Sequence, residues 1–272
     1  MDLFEDRTTC SNFSKLVSID KLISNDYDLT VDLYVKPQNM QEIIDIQGIS
    51  IKIEKITTRL KELSTEVSSK IAKMDRNSKD AISVGWRPLS ELLERSKGVD
   101  ISKDEMIANP ENSNVVKVIS NNNASFYLRE PVSSLVSVNY APAIIVKAQG
   151  RIGFEYCEEP FVHNKDIWSY NASNNKTVNI KYVYYFLKKE EKFFQNLGDK
   201  SVIPRISIET TNKFLIPIPY PDDLEMSLKY QQNIVDILDL FTELSSQLSA
   251  EILERQKQYE FYQNLLLTFP VK

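Results

Sequence analysis

The sequence predicts an α+β protein: one mixed α/β domain on an antiparallel coiled-coil stalk formed by an N-terminal and a long C-terminal helix. The first observation is the stretch from Gln231 to Phe269, which lacks proline and glycine and repeats apolar residues every three or four positions. This spacing places them on one side of a helix of about ten turns. The second observation is a heptad-like stretch before the domain, and the third is a middle region rich in strand-like runs.

The chain begins with a polar lead, residues 1–39, followed by a first coiled-coil helix predicted over residues 40–75. Within the lead, SIDKLISNDYDLTVDLYV predicts a short helix, a turn at Asn25-Asp26 and an extended piece ending at Pro37. Apolar residues of the helix alternate steps of four and three, with one full heptad between the last two, which is the seam of a coiled coil. These residues are Ile49, Ile53, Ile56, Leu60, Leu63, Val67 and Met74.

The middle region, residues 86–222, is predicted to fold as the mixed domain. Its short runs VVKVIS, SSLVSVNY, PAIIVKAQG and KFLIPIPYP are rich in β-branched residues and bounded by Asn, Gly and Pro, which is typical of strands. Between them, NIKYVYYFLKKEEKFFQNL predicts a helix.

A long helix is predicted over residues 224–269. Its heptad phase slips near Ile252, and this stutter predicts a local change of supercoil rather than a break. The simplest packing sets this helix antiparallel to the first one, so that each covers the apolar stripe of the other. The apolar positions are Ile234, Ile237, Leu238, Phe241, Leu244, Leu248, Ile252, Tyr259, Tyr262 and Leu266.

Composition narrows the function classes. The formal net charge of -5 argues against a histone-like basic binder, but it leaves nucleic-acid binding open, because the distribution of charge matters more than its sum. Cys10 and Cys157 have no CxxC neighbour and are interpreted as reduced thiols. Neither a membrane span nor a secretion signal is recognisable, so we predict a cytoplasmic location and no membrane partner.

Catalytic motifs are not recognisable in the sequence. His163 is the single histidine, and with Cys157 it lacks a third triad member. NPEN, at 109–112, resembles only the first half of an adenine-methyltransferase motif and is interpreted as a turn. Glu155, Glu158 and Glu159 near Lys147 imitate a nuclease metal site, but a solvated hairpin edge is favoured. We therefore predict no catalytic residue, no cofactor and no metal.

Three stretches of the C-terminal third resemble the specificity subunit of type I restriction–modification systems. They are GDKSVIPRISIETTNKFLIPIPYP, YQQNIVDILDLFTEL and ERQKQYEFYQNLLLTF, and WRPLSELLE and GRIGFEYCEEPFVHNKDIWSY are also typical of that family. The usual member has two target recognition domains, whereas this sequence predicts one. The resemblance implies a half-length specificity protein that binds DNA and performs no chemistry of its own.

The segment from Ile23 to Val35 resembles the C-terminal tail of the partner adenine-N6 DNA methyltransferase. The resemblance thus implies double-stranded DNA and a methyltransferase subunit as partners, directed together to a bipartite site. It leaves open a homodimer and a restriction subunit. The alternatives are the recognition fragment of a fused methyltransferase–specificity enzyme, a coiled-coil adaptor without DNA binding, and a stand-alone nuclease or methyltransferase.

The resemblance also suggests which residues contact each partner. Basic and amide-rich loops of the domain are the candidate DNA surface: Lys147, Arg151, His163, Asn164, Lys165, Lys200 and Arg205. For Trp168 and Tyr170 a core position is favoured over base stacking, and for His163 a hydrogen-bonded turn is favoured over DNA contact. Arg205 has a helix-to-strand cap as its alternative, and the run 121–123 is interpreted as a turn. The candidate coiled-coil and partner contacts are Ile49, Ile56, Leu60, Leu63, Val67, Ile234, Phe241, Leu248, Tyr259, Tyr262 and Leu266.

Overall fold

The computed structural model describes residues 15–31, 34, 45–77, 82–101, 115–120, 126–129, 138–140, 142–172, 177–198 and 203–268. Several predictions fall on residues outside these ranges. They concern the DNA candidate Lys200, the thiol of Cys10 and the turns at 109–112 and 121–123. The fold consists of two units, one formed by residues of 1–55 and 251–272 and one by residues 56–250. Both long helices cross this division.

Helices account for both flanks of the domain and for part of its interior. They are α1 (Ile19–Ser24), α2 (Ile46–Asn77), α3 (Leu89–Leu92), α4 (Ile180–Lys189), α5 (Glu191–Leu197), α6 (Ile208–Asn212) and α7 (Leu224–Leu267). Among the described residues, no helix is long and apolar enough to cross a membrane.

The strands of the described residues form three open sheets. They are β1 (Val84–Pro88), β2 (Leu93–Lys97), β3 (Val115–Ile119), β4 (Phe126–Arg129), β5 (Ala143–Lys147), β6 (Gly153–Cys157), β7 (Phe161–His163), β8 (Ile167–Ala172) and β9 (Leu215–Pro219). The central sheet has the order β2-β8-β5-β6 and is antiparallel throughout, while β4-β3-β7 and β1-β9 form smaller sheets. The mixed α+β class predicted from the sequence is confirmed.

The main core lies between the central sheet and helices α4, α5 and α7. Strand β5 is buried on both faces, as its uninterrupted AIIV run requires, and it carries Ile144 and Val146 towards this core. The rings of Phe154, Phe194 and Phe214 meet there, with centroids 4.9 Å and 4.6 Å apart for the two successive pairs. This cluster fixes the domain's helices on the face of the sheet.

Within residues 56–250, α2 and α7 run antiparallel. Arg59 pairs with Glu243 at 2.7 Å, and Lys70 pairs with Asp236 at 3.0 Å, so residues later in α2 meet residues earlier in α7. The seam between them is apolar: Leu63 is fully buried and Val67 is buried, while Ile56 and Leu60 are half-buried. The 3.5-residue repeat therefore marks the buried stripe of α2.

The other unit contains α1 and the outer ends of the two long helices. Ser18 caps α1, and the turn predicted at Asn25-Asp26 is present, with Asp26 and Tyr27 at positive φ. Ile49 and Ile53 are buried, as the repeat predicts. At the end of α7 the predicted apolar positions are instead exposed: Ile252, Tyr259, Tyr262 and Leu266.

The predicted start of the first coiled-coil helix, 40–44, lies outside the described residues; the described helix begins at Ile46, where the Asp45 carboxylate accepts from the Gly48 N–H. Three other local expectations differ from the structure. The single helix predicted between the strands is two helices that break at Glu190, because the break lets Phe194 turn into the core. Of the strand predicted at 133–140, the described part makes only an isolated bridge at Asn139. Phe241 and Leu248 are exposed rather than packed in a seam.

Candidate nucleic-acid interface

One edge of the central sheet collects three loops from distant parts of the sequence. Lys147, at the end of β5, lies beside Ile167 at the start of β8 and beside Gly153 at the start of β6. Lys97, at the end of β2, lies beside Trp168. The end of β2, the β5–β6 turn and the β7–β8 turn therefore meet at the same edge.

A fourth segment joins this edge from the region before α6. The Gly150 N–H donates to the Pro204 carbonyl at 2.9 Å, and the Ile206 N–H donates to the Ala148 carbonyl at 3.0 Å. Between these bonds, Gln149 bridges to Arg205. We call residues 97–100, 147–152, 164–166 and 203–206 the loop edge.

Two glycines shape the loop edge. Gly150 has φ +72° and open space around it, so the turn itself requires the left-handed backbone that glycine adopts without cost. At Gly98 the constraint is a close approach, because a Cβ there would lie 2.0 Å from the carbonyl oxygen of Asn164. Glycine thus allows the β7–β8 turn to rest directly on the end of β2.

The loop edge carries cations in two different states. Lys147 pairs with Glu155 at 2.5 Å, and Lys165 pairs with Asp100 at 2.9 Å; the latter hydrogen bond raises the pKa of Lys165. Three other cations are exposed and have no carboxylate partner within the described ranges: Lys97, Arg151 and Arg205. Their charge is available to an anionic partner.

His163 is a correction to the candidate set. Its ring is buried, with Nδ1 3.3 Å from the Asn164 carbonyl oxygen and Nε2 3.1 Å from Ser169 Oγ. A carbonyl only accepts, so Nδ1 carries the proton and the Ser169 hydroxyl donates to Nε2. Burial also lowers the pKa of His163, which favours the neutral ring. The histidine stabilises the β7–β8 turn through these hydrogen bonds, and its buried ring does not face a ligand.

The aromatic pair near this edge belongs to the core, as favoured from the sequence. Tyr170 is fully buried, and its hydroxyl lies 2.8 Å from Thr211 Oγ1 and donates to Asn212 Oδ1 at 2.6 Å. Trp168 is buried in the same cluster. Neither ring is exposed for stacking on a base.

The acidic residues near Lys147 do not assemble a metal site. Glu155 pairs with Lys147 while Glu158 approaches Lys181 at 3.8 Å. Across the described parts of the chain, no group of three His, Cys, Asp or Glu side chains is placed to hold a metal ion. Cys157 is a buried free thiol whose pKa is raised by burial, so it is a poor nucleophile.

Sequence reasoning missed two members of this surface, Lys97 and Gln149. Lys97 ends the strand LERSK, which is too polar to be predicted as a strand from its sequence. The neighbouring Gly98 was the available signal that another backbone segment approaches closely here. Gln149 lies in the run predicted as a strand, one residue before the turn glycine. Asn164 is half-buried, and its Oδ1 is buried without a hydrogen-bond partner.

The model of the type I restriction modification DNA specificity domain matches residues 84–255 of this chain. The match covers more than half of the sequence, including the whole loop edge. The chain belongs to this family. The resemblance expected from the three C-terminal stretches is thereby confirmed.

Individual relatives match over shorter parts. A type I restriction enzyme specificity subunit of Escherichia coli is 43% identical over 99 residues, which cover 36% of this chain and 23% of that protein. A type I restriction enzyme methylase subunit of Mycoplasma pneumoniae is 34% identical over 67 residues, or 25% of this chain and 12% of that protein. The chain therefore matches only about a quarter or less of the length of these relatives.

Among solved structures, the S subunit of a type I restriction–modification system from M. genitalium aligns with a TM-score of 0.49 at 17% identity. The alignment covers 61% of this chain and 41% of that one.

Proposed function

We propose that this chain is a specificity subunit that binds double-stranded DNA sequence-specifically and directs a methyltransferase to its site. The observation that carries the proposal is the loop edge, which brings together three exposed cations without a carboxylate partner in the described part of the chain, in a member of the specificity-domain family. The chain itself performs no chemistry in this proposal. The methyltransferase supplies the reaction.

Each class of side chain at the loop edge has a separate task. Lys97, Arg151 and Arg205 contact phosphates and set the register of the domain on the duplex. Gln149, which bridges to Arg205, reads a base edge, because an amide pairs with adenine through one donor and one acceptor. Asn164 contributes only its Nδ2 donor, because its Oδ1 is buried. A strongly basic domain is not required for this division, since specificity depends on base contacts and a few cations suffice for positioning.

The stalk has the role of spacer and docking surface. We infer a target recognition domain at 86–222 between coiled-coil segments at 40–75 and 224–269, preceded by a methyltransferase-tail-like segment at 1–39. Two copies of this recognition domain then read the two halves of a bipartite site, and their symmetry predicts a palindromic, interrupted target.

The outer end of α7 is the proposed contact for the methyltransferase subunit. Tyr259, Tyr262 and Leu266 expose 66%, 45% and 69% of their surface, which is unusual for a row of apolar side chains on one helix. A partial match to a methylase subunit, over 25% of this chain, also favours a methyltransferase as the partner.

The test is selection from a random-sequence duplex library by the full-length chain, alone and with a methyltransferase subunit. One enriched bipartite motif is expected. Equal retention of all duplexes, with an affinity that depends only on salt, would contradict sequence-specific binding and favour an adaptor that binds no particular site. The variant Lys229→Ala is a suitable control, because Lys229 is an exposed cation on α7 outside the loop edge.

A further inference from the structure

A fully buried glutamine lies where the recognition domain meets α7. The Gln231 side chain has no exposed surface, its Oε1 accepts from the Asn179 N–H at 2.8 Å, and its Nε2 donates to Ser227 Oγ at 2.9 Å. Ser227 is also buried. A buried amide is costly unless it is paired, so it tolerates only the arrangement that keeps both bonds. An apolar residue of the same size would accept many arrangements.

The partner of this glutamine also starts the domain's main helix. Asn179 is the N-cap of α4, and its Oδ1 accepts from the N–H groups of Lys181 and Tyr182 at 2.9 Å and 3.2 Å. Its Nδ2 donates to Gln232 Oε1 at 2.8 Å. The first turn of α4 is therefore bonded to two consecutive side chains of α7.

A second attachment lies two turns further along α7. Asp239 accepts from Lys181 Nζ at 2.9 Å and from the Tyr185 hydroxyl. Residues 231 and 239 are about 12 Å apart along a helix, so two attachments at that separation fix both the position and the direction of α7 against α4. A slip by one helical turn, about 5.4 Å, would break both. We call Asn179, Lys181, Tyr185, Gln231 and Asp239 the α4–α7 clamp.

The clamp is connected to the loop edge through the core. Val183 and Leu187 of α4 are fully buried in the main core, and the Tyr182 hydroxyl donates to the Pro217 carbonyl at 2.7 Å. Helix α4 is thus fixed to the sheet on one side and to α7 on the other. The direction of α7 relative to the sheet that carries the loop edge is set by these contacts.

We propose that the α4–α7 clamp determines the distance between the two half-sites that this protein recognises. This inference rests on the proposed function, because it assigns to the spacer a device that fixes its angle to each recognition domain. The half-site bases are read by the loop edge. Gln231 and Asp239 are positioning residues, and they act on the length of the unread gap without touching DNA.

The first test measures the angle without DNA. In the full-length chain with Cys10 replaced by Ser, spin labels are placed at Glu94 on β2 and at Ser245 on α7, both exposed positions. Wild type is expected to give one narrow distance distribution. Gln231→Met and Asp239→Asn are expected to broaden it at least about twofold, because removing a paired polar contact admits more arrangements. Gln247→Met, at a half-buried glutamine on the same helix, is the matched control and should remain narrow.

The second test measures the gap in duplex selection. Wild type is expected to enrich one gap length, whereas both clamp variants enrich the same half-site bases with two or more gap lengths. Circular dichroism confirms that the variants are folded, and Asp239→Asn keeps the volume and one acceptor if Gln231→Met proves unstable. An unchanged gap length or an unchanged distance distribution in folded Asp239→Asn overturns the clamp. If wild type enriches no motif, the proposed function fails, and the spin-label distances alone decide whether the clamp fixes the angle.

Discussion

The loop edge and the α4–α7 clamp are both built from polar side chains. Those of the clamp are paired with other groups of the protein, whereas several at the loop edge are not. In the clamp, Gln231 and Asn179 are hydrogen-bonded to each other and to neighbouring groups. The Asp239 carboxylate accepts from both Lys181 and Tyr185. At the loop edge, Arg151 and Arg205 are exposed without a carboxylate partner in the described residues. Paired polar groups specify the arrangement of the protein itself, whereas unpaired cations specify a partner.

This difference separates two measurable properties. Exposed cations contribute little to folding stability, since they are solvated in the folded and unfolded states alike. Buried polar groups contribute little to the binding of an external ligand. When such a group loses its hydrogen-bond partner, the folded state loses stability by the full desolvation penalty of that group. Changes at the clamp should therefore alter stability and geometry, and changes of exposed loop-edge cations should alter DNA affinity.

The largest stability effect is expected where the loop edge depends on a close backbone approach. In Gly98→Ala the new Cβ would lie 2.0 Å from the Asn164 carbonyl oxygen, so the β7–β8 turn must move. Overpacking of this kind costs about 3 kcal/mol. Thermal and urea unfolding measure the loss. Gly150→Ala is the control, because only its positive φ is strained, at about 1 kcal/mol.

The clamp is expected to follow. Gln231→Met leaves the Asn179 N–H and the Ser227 hydroxyl without their present partner, and such a loss costs about 2 kcal/mol. Urea unfolding measures it, and Gln247→Met provides the comparison on the same helix. Equal stability of the two variants would show that water or a rearranged side chain replaces the buried amide. DNA affinity for an isolated half-site should be unchanged.

The exposed cations are expected to show the reverse pattern. The double variant Arg151→Ala, Arg205→Ala should keep its unfolding free energy within about 0.5 kcal/mol. Its DNA affinity should fall, and the slope of log K against log salt concentration should become less steep by about 2, since two phosphate contacts are lost. Fluorescence anisotropy at several salt concentrations measures both. Lys229→Ala should leave the slope unchanged.

The smallest effect concerns alkaline pH at the clamp. Burial, followed by the hydrogen bond to Asp239, raises the pKa of Tyr185 to about 12, above the value of about 10 in an unfolded chain. The folded state therefore retains this proton longer, and the associated stability is present below pH 10 and is lost as the pH rises towards 12. Tyr185→Phe should reduce this decline, as followed by urea unfolding.

Tyr184→Phe is the matched control for that titration, because the Tyr184 hydroxyl has no hydrogen-bond partner within the described ranges. The pKa of Tyr182 is also raised to about 12 by burial, and its contribution remains in both variants. If stability declines equally with alkaline pH in the two variants, the Tyr185 hydroxyl does not contribute to the clamp.

Periodicity predicted the helices well and the strands poorly. The heptad repeat of α2 identified its buried stripe because a coiled-coil seam depends on local spacing. Strands such as β2 and β7 escaped prediction because LERSK is polar and FVH is short, and their pairing comes from distant partners. The exposed end of α7 also depends on more than local spacing. The spacing of its apolar residues indicates a stripe on the helix but does not indicate what covers that stripe.

The candidate site was predictable in its residue types but not in its arrangement. The basic loops around Gly150 and Arg205 were identified separately, and their bridge depends on tertiary contacts that span 56 residues of chain, about half a domain. His163 was listed among the DNA candidates although a hydrogen-bonded turn was favoured for it, and its buried, hydrogen-bonded ring agrees with the favoured interpretation. Lys97 was missed since its strand was missed.

The most direct test of the account is site-specific crosslinking to the selected duplex. A photoreactive amino acid is placed at Arg151 in the loop edge, and, in a separate variant, at the exposed Ser245 on α7. We predict efficient crosslinking to bases of the enriched half-site from position 151 and little or none from position 245. Crosslinks from position 245 alone, or equal crosslinking to unrelated duplexes from position 151, would contradict the assignment of the loop edge as the surface that reads DNA.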